Sequence, residues 1–338
     1  MDNRYSRQIL VQEIGEEGQE SIRSGVAVVI GLGALGSTSA GLLARAGVGT
    51  LRLVDRDFVD WSNLQRQALY DENDASASMP KAIAASEHLM LVNSEVAYEP
   101  VVDDVNPANV ERLVTGATVV VDGLDNFYTR ALINQACVKL RIPWIHGACL
   151  ATYGEAMSIV PGVTACYECA LPGVADATFA LTCDTAGILG PVAFTIGSLQ
   201  AMEALKVLAG HPDEVSSGIT MVDLWHTRFD LVKISRRPDC PVCGVRRFDL
   251  LSESDRISTV SICGRNAVQV VPDPRRAFQF DAVSAALRRV GEVSSNDYLL
   301  KARIGPNEIV LFCDGRAIIF GTVDPLVAKS IYSRYIGG

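Results

Sequence analysis

A glycine-rich turn between an apolar strand and a helix is the feature that most constrains the fold of this chain. A short run of Val and Ile leads into Gly31-x-Gly33-x-x-Gly36, a helix-like stretch follows, and a second apolar strand ends on Asp55. This order of elements is a βαβ unit, in which a helix crosses over between two parallel strands. Because strand-like and helix-like segments keep alternating to about residue 145, we predict an α/β, Rossmann-like, doubly wound and mostly parallel sheet.

The pattern of elements changes near residue 250, after which short strands outnumber helices. This change is typical of a small α+β domain that follows a larger one. The chain of 338 residues is long enough for both, and we expect domains over residues 1–250 and 253–338. The predicted strands are 26–30, 50–54, 96–100, 118–122, 143–145, 259–263, 267–271, 298–304, 308–312 and 316–320, and the predicted helices are one that ends at residue 46, then 81–92, 127–140, 190–208, 280–290 and 325–335.

The composition argues against some partners. Hydrophobic residues make up 49% and charged residues 20% of the chain, so we expect a protein that is folded throughout. A formal net charge of −9 argues against nucleic acid or an anionic membrane as the main partner. The N-terminus has no apolar leader, and Gly, Ser, Thr or Pro interrupts the long uncharged runs. We therefore expect a cytoplasmic protein without a membrane partner.

The glycine turn also indicates a ligand. Its backbone can approach a phosphate closely at a helix N-terminus, and Asp55 is placed to accept hydrogen bonds from a ribose. An adenine nucleotide is therefore the predicted ligand. The turn alone is equally consistent with an NAD- or FAD-dependent oxidoreductase, because those cofactors bind through the same motif.

Four further motifs shift the balance between these alternatives. They are RYSRQ at residues 4–8, DFVDWSNLQRQ at residues 57–67, PK at residues 80–81 and DGLDN at residues 122–126. As an ordered set they resemble the ThiF/MoeB/HesA family, which is related to ubiquitin-activating enzymes, over residues 4–245. The acidic loop departs slightly from the family at Gly123-Leu124, where Ala or Cys followed by Thr is frequent.

The resemblance implies an ATP-dependent adenylyltransferase. Members of the family activate the C-terminal Gly-Gly carboxylate of a ubiquitin-like sulfur-carrier protein, either ThiS-like or MoaD-like, and release pyrophosphate. The activated carrier serves sulfur transfer in thiamine or molybdopterin biosynthesis, with a sulfurtransferase or a cysteine desulfurase as a further partner. The resemblance also implies a homodimer and the cofactors ATP and Mg²⁺. A pseudoenzyme that binds nucleotide or carrier without turnover is the remaining alternative.

The resemblance assigns site residues, and their chemistry suits the reaction. The attacking carboxylate is already ionised and needs no general base, but two anions approach each other and pyrophosphate leaves. Cationic side chains and Mg²⁺ must therefore neutralise charge. By resemblance, Asp55 holds the ribose, Asn63, Arg66 and Lys81 bind the phosphates, Asp125 holds Mg²⁺, Arg7 reaches the partner subunit's site, and Asp57, Gln67 and Asn126 complete the nucleotide site with Gly31, Gly33 and Gly36.

Two Cys-x-x-Cys pairs predict a metal site. They are Cys166 with Cys169 and Cys240 with Cys243, about 70 residues further along the chain. Two such pairs that converge give the closed tetrahedral arrangement that Zn²⁺ adopts in structural sites. We therefore predict a structural zinc that fastens the loop 236–246 onto the sheet; a redox dithiol or free buried thiols are the alternatives. The family resemblance implies the same zinc.

Cys183 is the candidate nucleophile. It lies in the segment LTCDTAG, at residues 181–187, just before an apolar helix. A thiol near a helix N-terminus can have a lowered pKa, although the neighbouring Asp184 opposes that shift. In the family, the matching cysteine can join covalently to the carrier, whereas adenylation does not require it. An inert loop thiol is the alternative.

Several other residues receive no role. Cys137 and Cys149 lie on apolar segments, where cysteine behaves as a small hydrophobic residue. His88, His146, His211 and His226 are scattered without the spacing of metal ligands. The terminal residues 336–338 read Ile-Gly-Gly like a carrier tail, but they follow a predicted helix directly and are interpreted as its C-cap. For the small domain we expect a docking or dimer-supporting role.

Overall fold

The structure is a computed structural model that describes residues 3–173, 186–252, 259–262, 266–272 and 278–336. The chain divides into two compact units, Met1–Glu253 and Ser254–Gly338. Each unit has its own sheet. Within the described ranges, no helix is both long and apolar enough to cross a membrane.

The described part of the larger unit contains eight strands: β1 (Val26–Ile30), β2 (Thr50–Val54), β3 (Ala97–Val101), β4 (Val119–Asp122), β5 (Trp144–Leu150), β6 (Tyr153–Ile159), β7 (Gly218–Asp223) and β8 (Arg228–Lys233). Their order in space is β3-β2-β1-β4-β5-β6-β7-β8. Strands β1 to β5 pair in parallel, and β6, β7 and β8 extend the sheet in antiparallel fashion. This topology confirms the predicted α/β, Rossmann-like, mostly parallel sheet. The three antiparallel strands were not predicted.

The described helices of this unit are α1 (Ser6–Ile9), α2 (Gly15–Ser24), α3 (Ala34–Ala46), α4 (Glu72–Ala77), α5 (Lys81–Val92), α6 (Val110–Val114), α7 (Phe127–Leu140), α8 (Tyr167–Ala170) and α9 (Gly190–Leu208). Helices α5, α7 and α9 have the predicted bounds, because each begins and ends at clear sequence signals. Pro80 precedes α5, Asn126 caps α7 with its side chain, and α9 has Pro191 in its first turn.

Helices cover both faces of the parallel part of the sheet, as is typical of doubly wound folds. Successive strand residues point to opposite faces. On one face, Val29 and Val121 pack with residues of α2, α3, α5 and α9. On the other face, Val28, Val120 and Trp144 pack with α6, α7 and the segment around α8. The strands β1 and β4 are therefore buried on both sides, which explains their unbroken apolar sequences.

Among its described residues, the smaller unit has a six-stranded antiparallel sheet, formed by β9 (Thr259–Ile262), β10 (Ala267–Val270), β11 (Glu292–Ser295), β12 (Leu299–Ile304), β13 (Asn307–Phe312) and β14 (Ala317–Phe320). The order is β11-β12-β13-β14-β10-β9. Two helices, α10 (Phe280–Leu287) and α11 (Pro325–Tyr335), contribute Leu287 and Tyr332 to a core that includes Leu311 and Ile319. This is an α+β arrangement.

Close packing of three glycines fixes the turn between β1 and α3. Gly31 has a φ of +85°, in the left-handed region that favours glycine. A Cβ on Gly36 would overlap the carbonyl oxygen of Gly31, and a Cβ on Gly123 would overlap the same oxygen. The turn after β1 therefore lies directly against the loop after β4. This contact accounts for glycine at position 123.

Gly36→Ala is expected to lower the free energy of unfolding by about 3 kcal/mol or more, because its Cβ would meet backbone that cannot move away. Gly41→Ala, on the same helix, is the matched control. Its Cβ would meet Leu69 Cδ2 at 3.7 Å, an ordinary contact, so this variant should be more stable by about 0.5–1 kcal/mol. All three tryptophans lie in the larger unit, so urea unfolding followed by tryptophan fluorescence reports on it. Equal stabilities of the two variants would contradict the packing argument.

Candidate active site

The carboxyl ends of β1, β2 and β4 meet at the point where the strand order reverses. Strands β2 and β3 lie on one side of β1, and β4 and β5 lie on the other. Ligands of doubly wound sheets bind at such a reversal. The glycine turn follows β1, Asp55 follows β2, and Asp122 is the last residue of β4. The structure thus brings the predicted turn and the predicted acidic segments to one edge of the sheet.

Gly33 borders open space, unlike Gly31 and Gly36. A Cβ on Gly33 would have only distant neighbours, the Gly123 carbonyl oxygen at 3.8 Å and Gln67 Nε2 at 3.9 Å. The buried Gln67 amide therefore lies beside this opening. A ligand phosphate can approach the Gly33 backbone next to the N-terminus of α3. The residues present at the turn fit a nucleotide phosphate.

Asp55 ties the glycine turn to the end of β2. Its Oδ2 accepts a hydrogen bond from Leu32 N at 2.6 Å, and its Oδ1 accepts one from Asp57 N at 2.7 Å. Burial raises the pKa of Asp55, although the ammonium of Lys81 and the two backbone N–H groups oppose the shift. A carboxylate has about four lone-pair sites, so Asp55 can also accept hydrogen bonds from ribose hydroxyls.

Lys81 is held beside these two aspartates. It is only 4% exposed, and its Nζ forms an ion pair of 3.1 Å with Asp57 Oδ2. The backbone N–H of Lys81 also donates to Asp57 O at 2.9 Å. The first turn of α5 is therefore fixed to the loop after β2, which keeps one positive charge close to Asp55.

The motif residues Asn63 and Arg66 have different environments. Asn63 is buried in a one-turn helix at Trp61–Asn63, and its Oδ1 accepts a hydrogen bond from Asp60 N at 3.1 Å. Arg66 is half-buried, and its Nη1 donates to Ser62 O at 2.8 Å. Asn63 thus orders the loop, whereas the guanidinium of Arg66 remains accessible to a ligand.

Asp125 and Asn126 also divide into an accessible and a structural residue. Asn126 Oδ1 accepts a hydrogen bond from Thr129 N at 2.8 Å and caps α7. Asp125 is exposed. The pKa of the Arg56 guanidinium is raised overall. Burial alone would lower this pKa, but four nearby carboxylates raise it by more, namely those of Asp104, Asp125, Asp57 and Asp55. Asp125 therefore lies near the loop after β2. An exposed carboxylate beside a phosphate site fits Mg²⁺, which binds through one or two carboxylates and substrate phosphates.

Arg7 is not brought to this site within the chain. Two neighbouring side chains anchor its segment at the far end of the sheet: Tyr5 OH accepts from Asn93 Nδ2 at 2.9 Å, and Gln8 Nε2 donates to Ala46 O at 3.0 Å. Ala46 ends α3, which begins at the glycine turn and spans about 18 Å. The exposed Arg7 therefore lies at the opposite edge from its own glycine turn.

Cys183 lies outside the described residues. The described chain resumes at residue 186 and contacts the segment 57–67 just before α9 begins. Gln65 Nε2 donates to Ile188 O at 3.5 Å, and a Cβ on Gly190 would meet Gln65 O at 3.0 Å. The start of α9 is therefore packed against the segment that carries Arg66.

The two Cys-x-x-Cys pairs converge, as predicted. The Sγ atoms of Cys166 and Cys169 are 3.9 Å apart, those of Cys166 and Cys240 are 3.7 Å apart, and those of Cys169 and Cys243 are 3.4 Å apart. All four residues are buried. Zn²⁺ binds Cys Sγ at about 2.3 Å, which places the corners of an S₄ tetrahedron about 3.8 Å apart. The geometry and the all-thiol donor set fit zinc.

A buried polar cluster at the end of β4 and β5 was missed by the sequence analysis. His146 Nδ1 is 2.9 Å from Asp122 Oδ2, and His146 Nε2 is 3.4 Å from Glu155 Oε1. Arg130 Nε lies 3.5 Å from the same Asp122 oxygen. The register of β4 against β5 could have revealed this cluster. Val121 pairs with Ile145 in parallel, so the next residues along each strand, Asp122 and His146, must be neighbours.

Comparisons with known proteins agree with this geometry. The pattern of the ThiF family matches residues 5–242. The chain is 43% identical over 340 residues to the sulfur carrier protein ThiS adenylyltransferase of Bacillus subtilis, covering 100% of both. It is 37% identical over 242 residues to the molybdopterin-synthase adenylyltransferase of Escherichia coli, covering 71% of this chain and 96% of the relative. A crystal structure of E. coli MccB with ATP matches with a TM-score of 0.63 and 25% identity, covering 72% of this chain and 75% of that chain.

Asp55→Asn is expected to lower the free energy of unfolding of the larger unit by about 1–3 kcal/mol, because one backbone N–H would then face an amide N–H. Removal of the buried charge of Asp55 acts in the opposite direction and raises the free energy of unfolding. This gain is offset because Lys81 loses part of the negative charge that neutralises it. Asp125→Asn, at an exposed carboxylate of the same edge, should change stability by less than about 0.5 kcal/mol. Urea unfolding followed by tryptophan fluorescence measures both. An unchanged midpoint for Asp55→Asn would show that its two hydrogen bonds do not fix the turn.

Proposed function

Because the chain belongs to the ThiF family, we propose that it is an ATP-dependent adenylyltransferase that activates the C-terminal carboxylate of a ubiquitin-like sulfur-carrier protein. The observation that carries this proposal is the full-length match to a ThiS adenylyltransferase. The geometry supports this proposal through the opening at Gly33. The opening lies where the strand order reverses, and Asp55 and Lys81 are close to it. An oxidoreductase would need only the glycine turn and Asp55, whereas the adenylyltransferase also accounts for the 57–67 motif.

The proposed residues divide the work of one displacement. Asp55 binds the ribose of ATP, the backbone at Gly33 with Asn63, Gln67, Arg66 and Lys81 surrounds the phosphates, and Asp57 keeps Lys81 in place. A carboxylate oxygen of the carrier attacks the α-phosphorus, a new P–O bond forms, and pyrophosphate leaves with the electrons of the broken bond. Arg66 and Lys81 lower the repulsion between the two anions. Mg²⁺ held by Asp125 would supply charge neutralisation at the leaving phosphates.

A ThiS-like carrier is favoured over a MoaD-like one. The match to the ThiS adenylyltransferase covers 100% of this chain, whereas the match to the molybdopterin-synthase adenylyltransferase covers 71%. The full-length match therefore includes the smaller unit. We assign the two units as domains at residues 1–250 and 253–338 and give the second a docking or dimer-supporting role. Sulfur transfer for the thiazole of thiamine is the corresponding pathway.

We propose a homodimer in which Arg7 completes the partner's site. Arg7 lies about the length of α3 away from its own glycine turn, so it can act only on a nucleotide bound by another protomer. An exposed apolar face supports association. Phe229 pairs with Val222, which packs with α9, so Phe229 and Leu231 lie on the α9 side of the sheet. They are 56% and 53% exposed, so both side chains are available to pack against a second protomer.

We assign Cys183 to the step after adenylation. Its thiolate, or the persulfide of an external sulfurtransferase or cysteine desulfurase, attacks the acyl carbon of the carrier adenylate. A C–S bond forms, and AMP leaves with the electrons of the C–O bond. The support is the position of Ile188 and Gly190, five and seven residues later, against the segment of Arg66.

The four cysteines are proposed to hold a structural Zn²⁺. Four thiolates leave no open position, so the metal takes no part in the reaction and instead fixes the loop after β8. Arg237 N donates to Cys169 Sγ at 3.5 Å, which favours the thiolate form. A reducing cytoplasm, which keeps such thiols available, is the proposed location.

Wild-type protein with Mg²⁺ and a ThiS-like carrier is expected to catalyse carrier-dependent exchange between ATP and labelled pyrophosphate. Arg66→Ala should lower the exchange rate about 100-fold or more, because the negative charge on the phosphates in the transition state loses a neutralising cation. Arg247→Ala, which removes an exposed arginine far along the chain from the motif, is the matched control and should exchange at the wild-type rate. Cys183→Ala should also keep exchange while losing transfer of sulfur to the carrier.

The other outcomes of this experiment separate the alternatives. Absence of exchange with ThiS-like and MoaD-like carriers, together with tight NADH binding, would favour an oxidoreductase. ATP binding without any exchange would favour a pseudoenzyme. Exchange with a MoaD-like carrier alone would contradict the assignment to thiamine.

Arg7→Ala and Lys81→Ala are each expected to be inactive, yet a mixture of the two should regain activity. In a mixed dimer, one site combines an intact Lys81 with the intact Arg7 of the partner subunit. Random exchange of subunits therefore restores about one quarter of the sites. Exchange activity after mixing, compared with each variant alone, measures this. Activity in Arg7→Ala alone, or none in the mixture, would exclude a shared site.

A further inference from the structure

Four buried or partly buried titratable side chains form a cluster behind the loop that carries Asp125. They are Asp122, Arg130 and His146, whose side chains are at most 7% exposed, and Glu155, which is 30% exposed. They come from β4, α7, β5 and β6 respectively. Two carboxylates face two basic groups, so the cluster is electrically balanced when His146 is protonated.

His146 is bound on both sides of its ring. Nδ1 lies 2.9 Å from Asp122 Oδ2, and Nε2 lies 3.4 Å from Glu155 Oε1. Ionised carboxylates only accept hydrogen bonds, so a ring nitrogen that bonds to one of them does so as the donor. The hydrogen bond from His146 lowers the pKa of Glu155 more than burial raises it.

Two further side chains, Tyr167 and Arg130, lie close to the two contacts of His146. The Tyr167 ring, on α8, has its centroid 4.9 Å from that of His146. Burial raises the pKa of Tyr167 to about 12, so its phenol is neutral. Arg130, on α7, faces the same Asp122 oxygen at 3.5 Å, a longer distance than that of His146. Asp122, Glu155, Arg130 and Tyr167 are thus the titratable groups around the ring from β4, β6, α7 and α8.

The cluster holds the peptide that precedes Asp125. Asp122 Oδ1 accepts a hydrogen bond from Leu124 N at 2.8 Å, and Arg130 Nη2 donates to Leu124 O at 2.6 Å. Both polar backbone atoms of Leu124 are therefore fixed by members of the cluster. His146 binds the other oxygen of Asp122 and so sets the orientation of the carboxylate that holds Leu124 N.

We propose that His146 is a positioning residue for Asp125: its ring bridges Glu155 and Asp122, Asp122 holds Leu124, and the adjacent carboxylate of Asp125 is thereby placed for Mg²⁺ bound with ATP. This inference rests on the proposed role of Asp125. It adds a residue that never touches the nucleotide but sets how tightly Mg²⁺ and ATP bind together.

Two isosteric variants separate the two arms of the bridge. His146→Asn can place its amide nitrogen where Nδ1 donates to Asp122, whereas His146→Gln can place its amide nitrogen where Nε2 donates to Glu155. Calorimetric titration of ATP at a series of Mg²⁺ concentrations and neutral pH is the measurement. His146→Gln should need about tenfold more Mg²⁺ than wild type, because Asp122 loses a charge-assisted hydrogen bond. His146→Asn, which keeps the donor to Asp122, should need less Mg²⁺ than His146→Gln.

The outcomes distinguish this inference from the proposed function, because ATP binding needs no carrier. A wild-type Mg²⁺ requirement in a folded His146→Gln would overturn the inference while leaving the exchange reaction intact. If both histidine variants unfold, Glu155→Gln decides: the His146 ring loses its second carboxylate partner, so the Mg²⁺ requirement should rise, and a wild-type requirement overturns the proposal. A wild-type protein that binds no ATP with Mg²⁺ would overturn both.

Discussion

The contact between the turn after β1 and the loop after β4 is the constraint on which the site depends. Gly31, Gly36 and Gly123 pack so closely that no Cβ fits at Gly36 or Gly123. Asp55 then fixes the same turn to β2 through Leu32 N. Three strand ends are thereby brought to one place. The segments that carry Arg66 and Lys81 follow β2, and the loop that carries Asp125 follows β4. The only glycine of the turn without close neighbours is Gly33, where a ligand can approach the backbone.

Much of the fold was readable from the sequence because its elements are strongly punctuated. The buried strands β1 and β4 are apolar on both faces, and α5, α7 and α9 are bounded by Pro80, Asn126 and Pro191, so the α/β class follows from local pattern alone. The cysteine pairs were also readable, since a Cys-x-x-Cys turn has few structural uses and two of them in one chain predict convergence.

The rest depends on tertiary contacts that local pattern does not encode. The residues of the edge strand β8 are exposed throughout, so its short alternation of Phe229 and Leu231 with polar residues corresponds to no buried face of the sheet. His146 has neighbours 24 and 9 positions away in sequence, and only the strand register joins them. The placement of Arg7 away from its own site depends on Tyr5 and Gln8, whose partners are at the ends of α5 and α3. Cys183 stays a prediction, as it lies outside the described residues.

A nucleotide triphosphate is a polyanion, yet the site proposed for it contains many carboxylates, and this requires explanation. The carboxylates at this edge of the sheet are those of Asp55, Asp57, Asp104, Asp122 and Asp125. Most of these carboxylates are already bound. Asp55 accepts two backbone N–H groups, Asp57 pairs with Lys81, Asp104 pairs with Arg56 at 3.0 Å, and Asp122 faces His146 and Arg130. Their charge is compensated before any nucleotide arrives, so they orient the loops and the cations without repelling phosphate. Asp125 is the exposed exception. An exposed carboxylate beside a triphosphate is favourable when a divalent cation lies between them, and this makes the orientation of Asp125, and hence of the residues behind it, matter for binding.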